Sequence, residues 1–356
     1  MTFTLPLLPP QAEIETKAVL RQAAAAHRRL GELKALSGSL PNQRILLNTL
    51  SLTEAKDSSA IENIVTTHDE LFKTELFPNQ QFNPAAKEVQ DYAAALRTGY
   101  EAVLQNQILS NNHIIDIHSK LEGHRSGFRK VPGTDLRNQA TGKVVYTPPQ
   151  SNDEVVRLMG NLETFINDPD FFEADPLVKM ALLHYQFESI HPFYDGNGRT
   201  GRIVNVLYLV LTQLLGLPVL YLSGYIVRTK SEYYRLLQAV RDEGTWEEWV
   251  LYMLKAVEET SKDTIGLIQG IKTAMQDYKH RIRAEYKFYS QDLINNLFSH
   301  PYTKIEFLMR DLQVTRLTAT RYLDKLTEAG LLNKAKLGRS NYYINRALWK
   351  VLTGKG

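Results

Sequence analysis

The sequence predicts a mainly α-helical fold with one short β-hairpin and a small C-terminal domain of helices and strands. Apolar residues recur at helical spacing through most of the chain, and several of these runs follow a Ser or Pro that suits a helix start. Residues 127–149 carry β-forming residues, glycines and prolines without a helical period, which indicates a hairpin. The 356-residue length favours two or three domains.

Composition narrows the possible chemistry. The chain has no cysteine, which excludes disulfides, thiolate metal sites and a cysteine nucleophile. The N-terminus lacks a basic segment followed by an apolar core, so we expect no signal peptide. Residues 203–222 are mostly apolar but are broken by Gly216-Leu217-Pro218, and we interpret them as a buried helix rather than a membrane span. We therefore expect a soluble, cytoplasmic protein without membrane contact.

Periodicity and end signals place the elements in order. Helices are expected over 11–36, 43–54, 86–105, 110–122, 153–167, 176–190 and 203–215, followed by a helix from Ser231 and a long helix over 245–287 with a break near 266–270. Further helices are expected over 291–298, 303–312 and 318–328, followed by two short strands. We divide the chain into an N-terminal helical module (1–80), a catalytic core (81–270), a linking helix (271–290) and a C-terminal domain (291–356).

The chemistry is concentrated in the stretch His191-Pro-Phe-Tyr-Asp-Gly-Asn-Gly-Arg-Thr-Gly-Arg202. Glycines before a helix let backbone N–H groups and the helix dipole meet a phosphate. Arg199 and Arg202 are three residues apart and are expected to share a helix face and bind phosphate oxygens. Asp195 could hold Mg²⁺ together with substrate phosphates. His191 could accept a proton near neutral pH.

Two commoner phosphate motifs do not fit this stretch. The spacing Gly196-x-Gly198-x-x-Gly201 matches the dinucleotide fingerprint, but that motif follows a strand and precedes an acidic residue by about 20 positions. Here the preceding segment has helical spacing, and no Asp or Glu occurs between Gly196 and Ser231. A P-loop is excluded because no Gly-Lys-Ser/Thr follows.

The stretch fits H-x-F-x-[D/E]-G-N-G-R-x-x-R and so resembles the Fic family of nucleotide-dependent protein modifiers. The resemblance implies a Fic-type helical bundle with a β-hairpin flap, and transfer of AMP from ATP to a Ser, Thr or Tyr hydroxyl of a target protein or of the enzyme itself. In that case His191 would deprotonate the hydroxyl and Asp195 would bind Mg²⁺. The nucleotide would be held by the remaining loop residues, namely Gly196, Asn197, Gly198, Arg199, Thr200, Gly201 and Arg202. Phe193 would pack the loop inward.

The segment Ser58-Ser-Ala-Ile-Glu62-Asn63 has two readings. Taken alone, it is close to a helix-capping signature. Beside a Fic motif, it resembles the family's inhibitory motif [S/T]-x-x-x-E-[G/N], with Ser58 and Glu62 at the fixed positions. A carboxylate at Glu62 would pair with Arg202 and repel the γ-phosphate. We therefore predict autoinhibition by Glu62.

The resemblance also suggests roles for two further segments. Residues 127–149 would form the flap, whose strand edge receives an extended target segment, although an ordinary surface hairpin is the alternative. Tyr233 and Tyr234 would line the adenine pocket, with Tyr233 slightly favoured. Arg241 stands where some relatives use Asn toward the nucleotide, which leaves that contact open.

The C-terminal region differs in charge. Residues 279–356 contain 15 Lys and Arg and 6 Asp and Glu, a net charge of +9, which leaves −6 for the remainder of a chain of net charge +3. The order of its elements resembles a winged helix-turn-helix domain, with Thr318, Thr320, Arg321 and Lys325 facing outward on a recognition helix and Arg339 on the wing. DNA binding and a protein-interaction or dimerisation role, including a homodimer, both stay open.

Four other functions also stay open. Within the Fic family, these are UMP or phosphate transfer and removal of AMP; Gly-Asn-Gly in the loop argues against the kinase-like branch. From a different class, the chain could be a DNA-binding regulator whose core senses nucleotide.

Overall fold

The computed structural model describes residues 4–40, 42–76, 83–137, 141–337 and 340–354. Its helices are α1 Lys17–Gly38, α2 Arg44–Ile61, α3 His68–Leu76, α4 Pro84–Asn106, α5 Asn111–Glu122, α6 Asn152–Asn167, α7 Pro176–Ile190, α8 Asn197–Leu211, α9 Leu222–Arg228, α10 Lys230–Glu243, α11 Trp246–Glu285, α12 Gln291–Ser299, α13 Ile305–Leu312, α14 Arg316–Glu328 and α15 Arg346–Thr353. Its strands are β1 Leu136–Arg137, β2 Val144–Tyr146, β3 Tyr302–Thr303, β4 Leu332–Leu337 and β5 Ser340–Asn345.

Helices α7 and α8 form the centre of the bundle and carry the predicted active loop between them. Helix α7 begins at Pro176, with the Asp175 side chain accepting the Leu177 N–H, and nearly all of its residues are buried. Helix α8 is buried over most of its length and packs on α4, α5 and α7. The apolar run after the motif is therefore core, as predicted. No helix in the described part of the chain is long and apolar enough to cross a membrane.

Helix α8 starts six residues earlier than the sequence predicted. Gly196 takes a left-handed conformation, with φ 70°, and its carbonyl accepts the Thr200 N–H. The helix therefore already includes Gly198 and Gly201, which the prediction placed in a turn. The motif forms the first turns of the helix rather than a loop before it.

Helix α11 joins the core to the C-terminal domain as one continuous helix of 40 residues. The predicted break near 266–270 is wrong, because Gly266 and Gly270 both lie within the helix. Gly270 packs closely against Val351 of α15, so a side chain there would press on the C-terminal domain. The linking helix expected over 271–290 is the C-terminal part of this helix, which ends at Glu285.

The hairpin and the C-terminal domain have the predicted character. Strands β1 and β2 pair antiparallel, and the chain between Arg137 and Val144 includes 138–140, which lie outside the described residues. The C-terminal sheet has the order β3–β5–β4. Strand β3 contacts α12 and strand β4 contacts α14, while α13 packs between α12 and α14. Four elements were not predicted, namely α3, α9, β3 and α15. Helix α3 meets this domain where the Tyr302 hydroxyl donates to Asp69 at 2.5 Å.

Candidate active site

The loop between α7 and α8 is held by its own side chains. The Asn197 amide accepts the Phe193 N–H and donates to the Phe193 carbonyl, each at 2.8 Å. Phe193 is fully buried and stacks on His118 with ring centroids 3.7 Å apart. Asn197 was predicted to hold phosphate, but both ends of its amide are engaged by the loop backbone. Here Asn197 fixes the loop shape, and Phe193 packs inward as expected.

His191 ends α7 in a left-handed conformation, with φ 49° and ψ 60°. Its carbonyl accepts from Arg129 Nε at 2.8 Å, and Arg129 Nη2 donates to the carbonyls of Pro149 and Ile190. The buried guanidinium thus ties the base of the flap to the end of α7. Burial, helped by the nearby Arg129, lowers the pKa of His191 to about 4, so the imidazole is neutral at pH 7.

Arg202 is buried and contacts the end of α2 through three hydrogen bonds. It donates to Ser58 Oγ at 2.8 Å, to the Ser58 carbonyl at 3.0 Å and to Glu62 Oε1 at 3.0 Å. Burial alone would lower the pKa of Arg202, but Glu62 and other nearby acidic groups outweigh it and raise the pKa. The structure thus brings together the three residues of the predicted inhibitory contact.

The Glu62 carboxylate covers the first turn of α8. A side-chain carbon added at Gly198 would collide with Glu62 Oε1 and would also come within 3.0 Å of Arg202 Nη1. The opening N–H groups of a helix lack intrahelical partners and favour an anion. Glu62 therefore occupies a position that suits a phosphate.

Arg199 does not join Arg202 in this site, contrary to the prediction. Its Nη1 lies 2.9 Å from Glu88 and its Nη2 lies 3.0 Å from Glu122. Residues three apart on a helix differ by about 60° in direction, which here is enough to point the two arginines at different neighbours. Arg199 ties α8 to α4 and α5.

A cavity of about 500 Å³ opens beside His191 and Arg202. Of the predicted nucleotide-binding residues, Gly198, Arg202, Tyr233 and Tyr234 line it, whereas Gly196, Asn197, Arg199, Thr200 and Gly201 do not. The cavity wall also includes the strands of the flap and residues of α10, namely Leu136, Arg137, Val145, Tyr146, Gln238 and Arg241.

The two tyrosines differ from the prediction. Tyr233 is almost fully buried, and its hydroxyl lies 2.9 Å from His184 Nε2 inside the core. Tyr234 is 46 % exposed and leaves its ring available at the cavity. Tyr234 rather than Tyr233 is thus placed to stack on a base. His184 is a buried histidine that packs inside the core.

Two further residues lie in the cavity wall, of which sequence reasoning missed Glu188 and left the contact of Arg241 open. Glu188 precedes the motif by three residues, and burial raises its pKa to about 7 against the opposing effect of Arg202. The Arg241 guanidinium lies 4.0 Å from the ring centre of Tyr146, on the flap. A helical apolar run gave no sign that Glu188 faces the site, and Arg241 required the fold to bring α10 beside the flap.

Asp195 is the residue that could hold Mg²⁺. It is exposed, and its Oδ1 accepts the Gly196 N–H at 2.7 Å, which leaves the second oxygen for a ligand. The described residues contain no group of three or more His, Asp or Glu side chains arranged for a metal ion. A single carboxylate fits Mg²⁺, because that ion commonly takes its other ligands from water and substrate phosphates.

Three family profiles match most of the chain. They are the Fic/DOC family N-terminal region at residues 20–101, the Fic/DOC family at residues 108–209 and the C-terminal domain of SoFic-like protein adenylyltransferases at residues 274–348. The second profile contains the whole motif from His191 to Arg202, all of helix α7 and most of helix α8. The chain belongs to the Fic family.

Curated relatives match a little less than half of this Fic protein. It is 29 % identical to "Protein adenylyltransferase Fic" from Aedes aegypti over 158 residues, covering 44 % of this chain and 30 % of the relative. It is 30 % identical to "Protein adenylyltransferase fic-1" from Caenorhabditis elegans over 169 residues, covering 47 % and 32 %. The chain thus spans about a third of the length of these relatives.

Solved structures show the same fold. A Fic family protein from Desulfovibrio desulfuricans G20 aligns over 98 % of this chain and 99 % of its own, with a TM-score of 0.58 and 22 % identity. Residues 134–508 of Fic-1 from C. elegans align over 70 % of this chain and 74 % of that one, with a TM-score of 0.54 and 22 % identity. The first alignment includes the N-terminal module, the core and the C-terminal domain.

Proposed function

We propose that this protein transfers AMP from ATP to a Ser, Thr or Tyr hydroxyl of a target protein. One observation carries the proposal. The Glu62 carboxylate rests on Arg202 above Gly198, in the same cavity as a neutral histidine. An anion site and a proton acceptor in one cavity are what an enzyme needs to activate a hydroxyl beside a bound polyphosphate. The curated relatives named as adenylyltransferases support the same reaction.

In the proposed reaction, His191 takes the proton from the target hydroxyl while its oxygen attacks the α-phosphorus of ATP. The bond from that phosphorus to the bridging oxygen breaks, and diphosphate leaves. Arg202 and the N-terminus of α8 hold the phosphates and stabilise their charge. A Mg²⁺ held by Asp195 would supply further neutralisation of that charge. Tyr234 stacks on the adenine.

The target is proposed to bind along the flap between residues 127 and 149. Val144 and Val145 are each 46 % exposed although they are consecutive residues of strand β2. A short strand with apolar side chains exposed in this way suits an added strand, which binds through backbone hydrogen bonds. An extended segment could thus present one hydroxyl to His191. Self-modification, a homodimer and a cytoplasmic location belong to this proposal.

Glu62 is proposed as the inhibitor of this reaction. While it pairs with Arg202, the γ-phosphate loses its guanidinium partner and meets a like charge. ATP can then bind only in a position unsuited to attack on its α-phosphorus. Release of Glu62 would restore both the space above Gly198 and the partner of the phosphate.

The test uses ATP labelled at the α-phosphate or at the γ-phosphate, with wild type, Glu62→Gly and Glu62→Gly/His191→Ala. The proposal predicts stable α-label on protein with Glu62→Gly, loss of that label in the double variant, and no γ-label. Transfer of γ-label would indicate phosphate transfer instead. Label from UTP alone would indicate UMP transfer, and loss of AMP from a modified protein without forward labelling would indicate AMP removal.

For the C-terminal domain we propose DNA binding as a second function. Arg316, Arg321 and Lys325 are exposed on α14, and Lys334 and Lys336 are exposed on the adjoining strand β4. Basic side chains on a recognition helix and its wing suit phosphate contact. The two threonines predicted to face outward, Thr318 and Thr320, are half-buried. The Thr315 hydroxyl donates to the Thr318 hydroxyl, and the Thr320 hydroxyl donates to the Arg316 carbonyl. Arg339 lies outside the described residues.

Gel-shift titration with a 20-base-pair duplex at two salt concentrations tests this second function. DNA binding should weaken steeply with salt and drop at least tenfold in Arg321→Ala/Lys325→Ala. Lys17→Ala on α1 also removes an exposed positive charge and is the control, which should bind DNA as wild type does. Equal DNA binding by both variants would show that Arg321 and Lys325 do not contact DNA and would contradict the proposed second function. If DNA binding survives His191→Ala while no protein labelling is seen in any variant, the nucleotide-sensing regulator becomes the better interpretation.

A further inference from the structure

A buried carboxylate lies two turns before Glu62 on the same face of α2. Residues 54, 58 and 62 are spaced by four, so their side chains follow one another along the helix. Ser58 and Glu62 contact Arg202. Glu54 has no exposed surface and points into the region between α2, α4 and α9.

Glu54 is held by three uncharged donors. The Ser223 hydroxyl donates at 2.5 Å and the Ser223 N–H at 3.2 Å, both from the start of α9. The Tyr92 hydroxyl donates at 3.3 Å from α4. A buried carboxyl group is costly, and burial raises the pKa of Glu54 to about 7. An apolar residue would pack here without that cost, so a role in orienting the helix accounts better for its presence.

Two further contacts join the same elements. A side-chain carbon at Gly224 would lie 3.2 Å from Asp57 Oδ2, which shows how closely α9 approaches α2. Lys230, at the start of α10, donates to Asn63 Oδ1 at 3.2 Å, immediately after Glu62. Helix α9 therefore contacts α2 before the inhibitory residue, and α10 contacts the chain directly after it.

We propose that Glu54 is a positioning residue for inhibition, which fixes the C-terminal half of α2 through Ser223 and Tyr92 so that Ser58 and Glu62 stay on Arg202. This inference rests on the proposed inhibitory role of Glu62. Because α10 also carries Tyr234, the elements that hold the inhibitory helix belong to the wall of the proposed nucleotide site. Loss of the Glu54 contacts would let the end of α2 turn or shift away from Arg202.

Glu54→Gln is the sharpest test, because it keeps the size of the side chain but turns an NH₂ group toward one of the three donors. We expect it to raise AMP incorporation several-fold over wild type and to have no further effect in Glu62→Gly. Glu32→Gln, on the exposed surface of α1, is the matched control and should change neither. Ser223→Ala should act in the same direction as Glu54→Gln and replaces it if that variant does not fold.

Hydrogen exchange of the amides of residues 58–64 gives a readout that does not depend on catalysis. We expect faster exchange of these amides in Glu54→Gln, with exchange in α8 unchanged. Activation by Glu62→Gly without any activation by Glu54→Gln or Ser223→Ala would contradict the positioning role of Glu54 but not the proposed function. Equal loss of labelling by Glu54→Gln in both backgrounds would show a purely structural role. Absence of label in Glu62→Gly would contradict the proposed function, while the exchange rates would still decide whether Glu54 holds the helix.

Discussion

Glu62 Oε1 lies 3.0 Å from Arg202 Nη2, and the same carboxylate fills the space above Gly198. Arg202 is 1 % exposed, whereas the Glu62 side chain is 34 % exposed. The arginine is therefore a fixed part of the core, and the glutamate approaches from the side of the cavity. This asymmetry is what an intramolecular inhibitor requires, because the residue that must leave is the one with access to solvent.

Arg202→Lys tests whether the three-way contact depends on a guanidinium. A lysine cannot donate to Ser58 and to a phosphate in the same fixed geometry, so we expect AMP transfer by the Glu62→Gly protein to fall about 30-fold or more, equivalent to about 2 kcal/mol. Steady-state labelling measures the effect. Arg235→Lys, at an exposed position on α10, is the control, and an equal effect of both changes would contradict the role of Arg202.

Arg199→Gln should lower stability rather than nucleotide binding. It removes a buried guanidinium from Glu88 and Glu122, and the partial exposure of Glu88 limits the loss to about 2–3 kcal/mol in the free energy of unfolding. Urea denaturation and ATP titration measure the two properties separately. A loss of ATP affinity greater than about tenfold, without a change in stability, would restore the phosphate-binding role that the sequence suggested.

Gly198→Ala should remove activity even in the Glu62→Gly background. The added methyl group occupies the space that Glu62 fills in the resting protein and that a phosphate would need in the active one. We expect at least a tenfold fall in labelling, or about 1.4 kcal/mol. Gly160→Ala, at a helical position with open space around it, should instead gain about 0.5–1 kcal/mol of stability and keep its activity.

Acid should inhibit this protein only well below the usual histidine range. The neutral imidazole of His191 is the reactive form, and its pKa of about 4 places the loss of labelling near pH 4 rather than 6.5. Because unfolded histidine binds a proton below pH 6.5 and the folded one does not, the stability it contributes is complete above pH 6.5. That stability is lost as pH falls toward 4. A labelling rate that already falls between pH 7 and pH 6 would contradict the lowered pKa of His191.

Tyr234→Ala should weaken ATP binding about tenfold, since base stacking on an aromatic ring is worth about 1–3 kcal/mol. Tyr233→Phe removes only the hydroxyl that meets His184, so it should cost about 1 kcal/mol of stability and leave ATP affinity unchanged. Calorimetric titration of both variants distinguishes them. The opposite order of ATP affinities would return the stacking role to Tyr233.

Much of the fold follows from local sequence. Helix α7 was predicted to the residue, because Asp175 and Pro176 mark its start and the loop motif marks its end. Helix α8 was placed too late, because glycines were interpreted as a turn although a helix packed against the core tolerates them. Arg129 and Glu54 were missed for a different reason. Their partners lie between 20 and 169 residues away in the chain, so no local pattern predicts their burial.

The residues of the candidate site were also predicted only in part from the sequence. The motif located His191 and Arg202, and the distant segment around Glu62 was found through its resemblance to an inhibitory motif. Which of two neighbouring residues faces the cavity was not predictable, as Tyr233 and Tyr234 show. That choice depends on the rotation of α10, which is set by contacts with α7 and α11 rather than by the sequence of α10 itself.

The most direct test of inhibition by Glu62 is the steady-state rate of AMP transfer at saturating ATP, measured for wild type and for Glu62→Gly. Saturation removes any difference in ATP affinity and isolates the position of the bound phosphates. We expect a rate at least tenfold higher for Glu62→Gly, because Arg202 and the space above Gly198 become available to the nucleotide. Equal rates for the two proteins would show that the contact between Glu62 and Arg202 does not restrain catalysis.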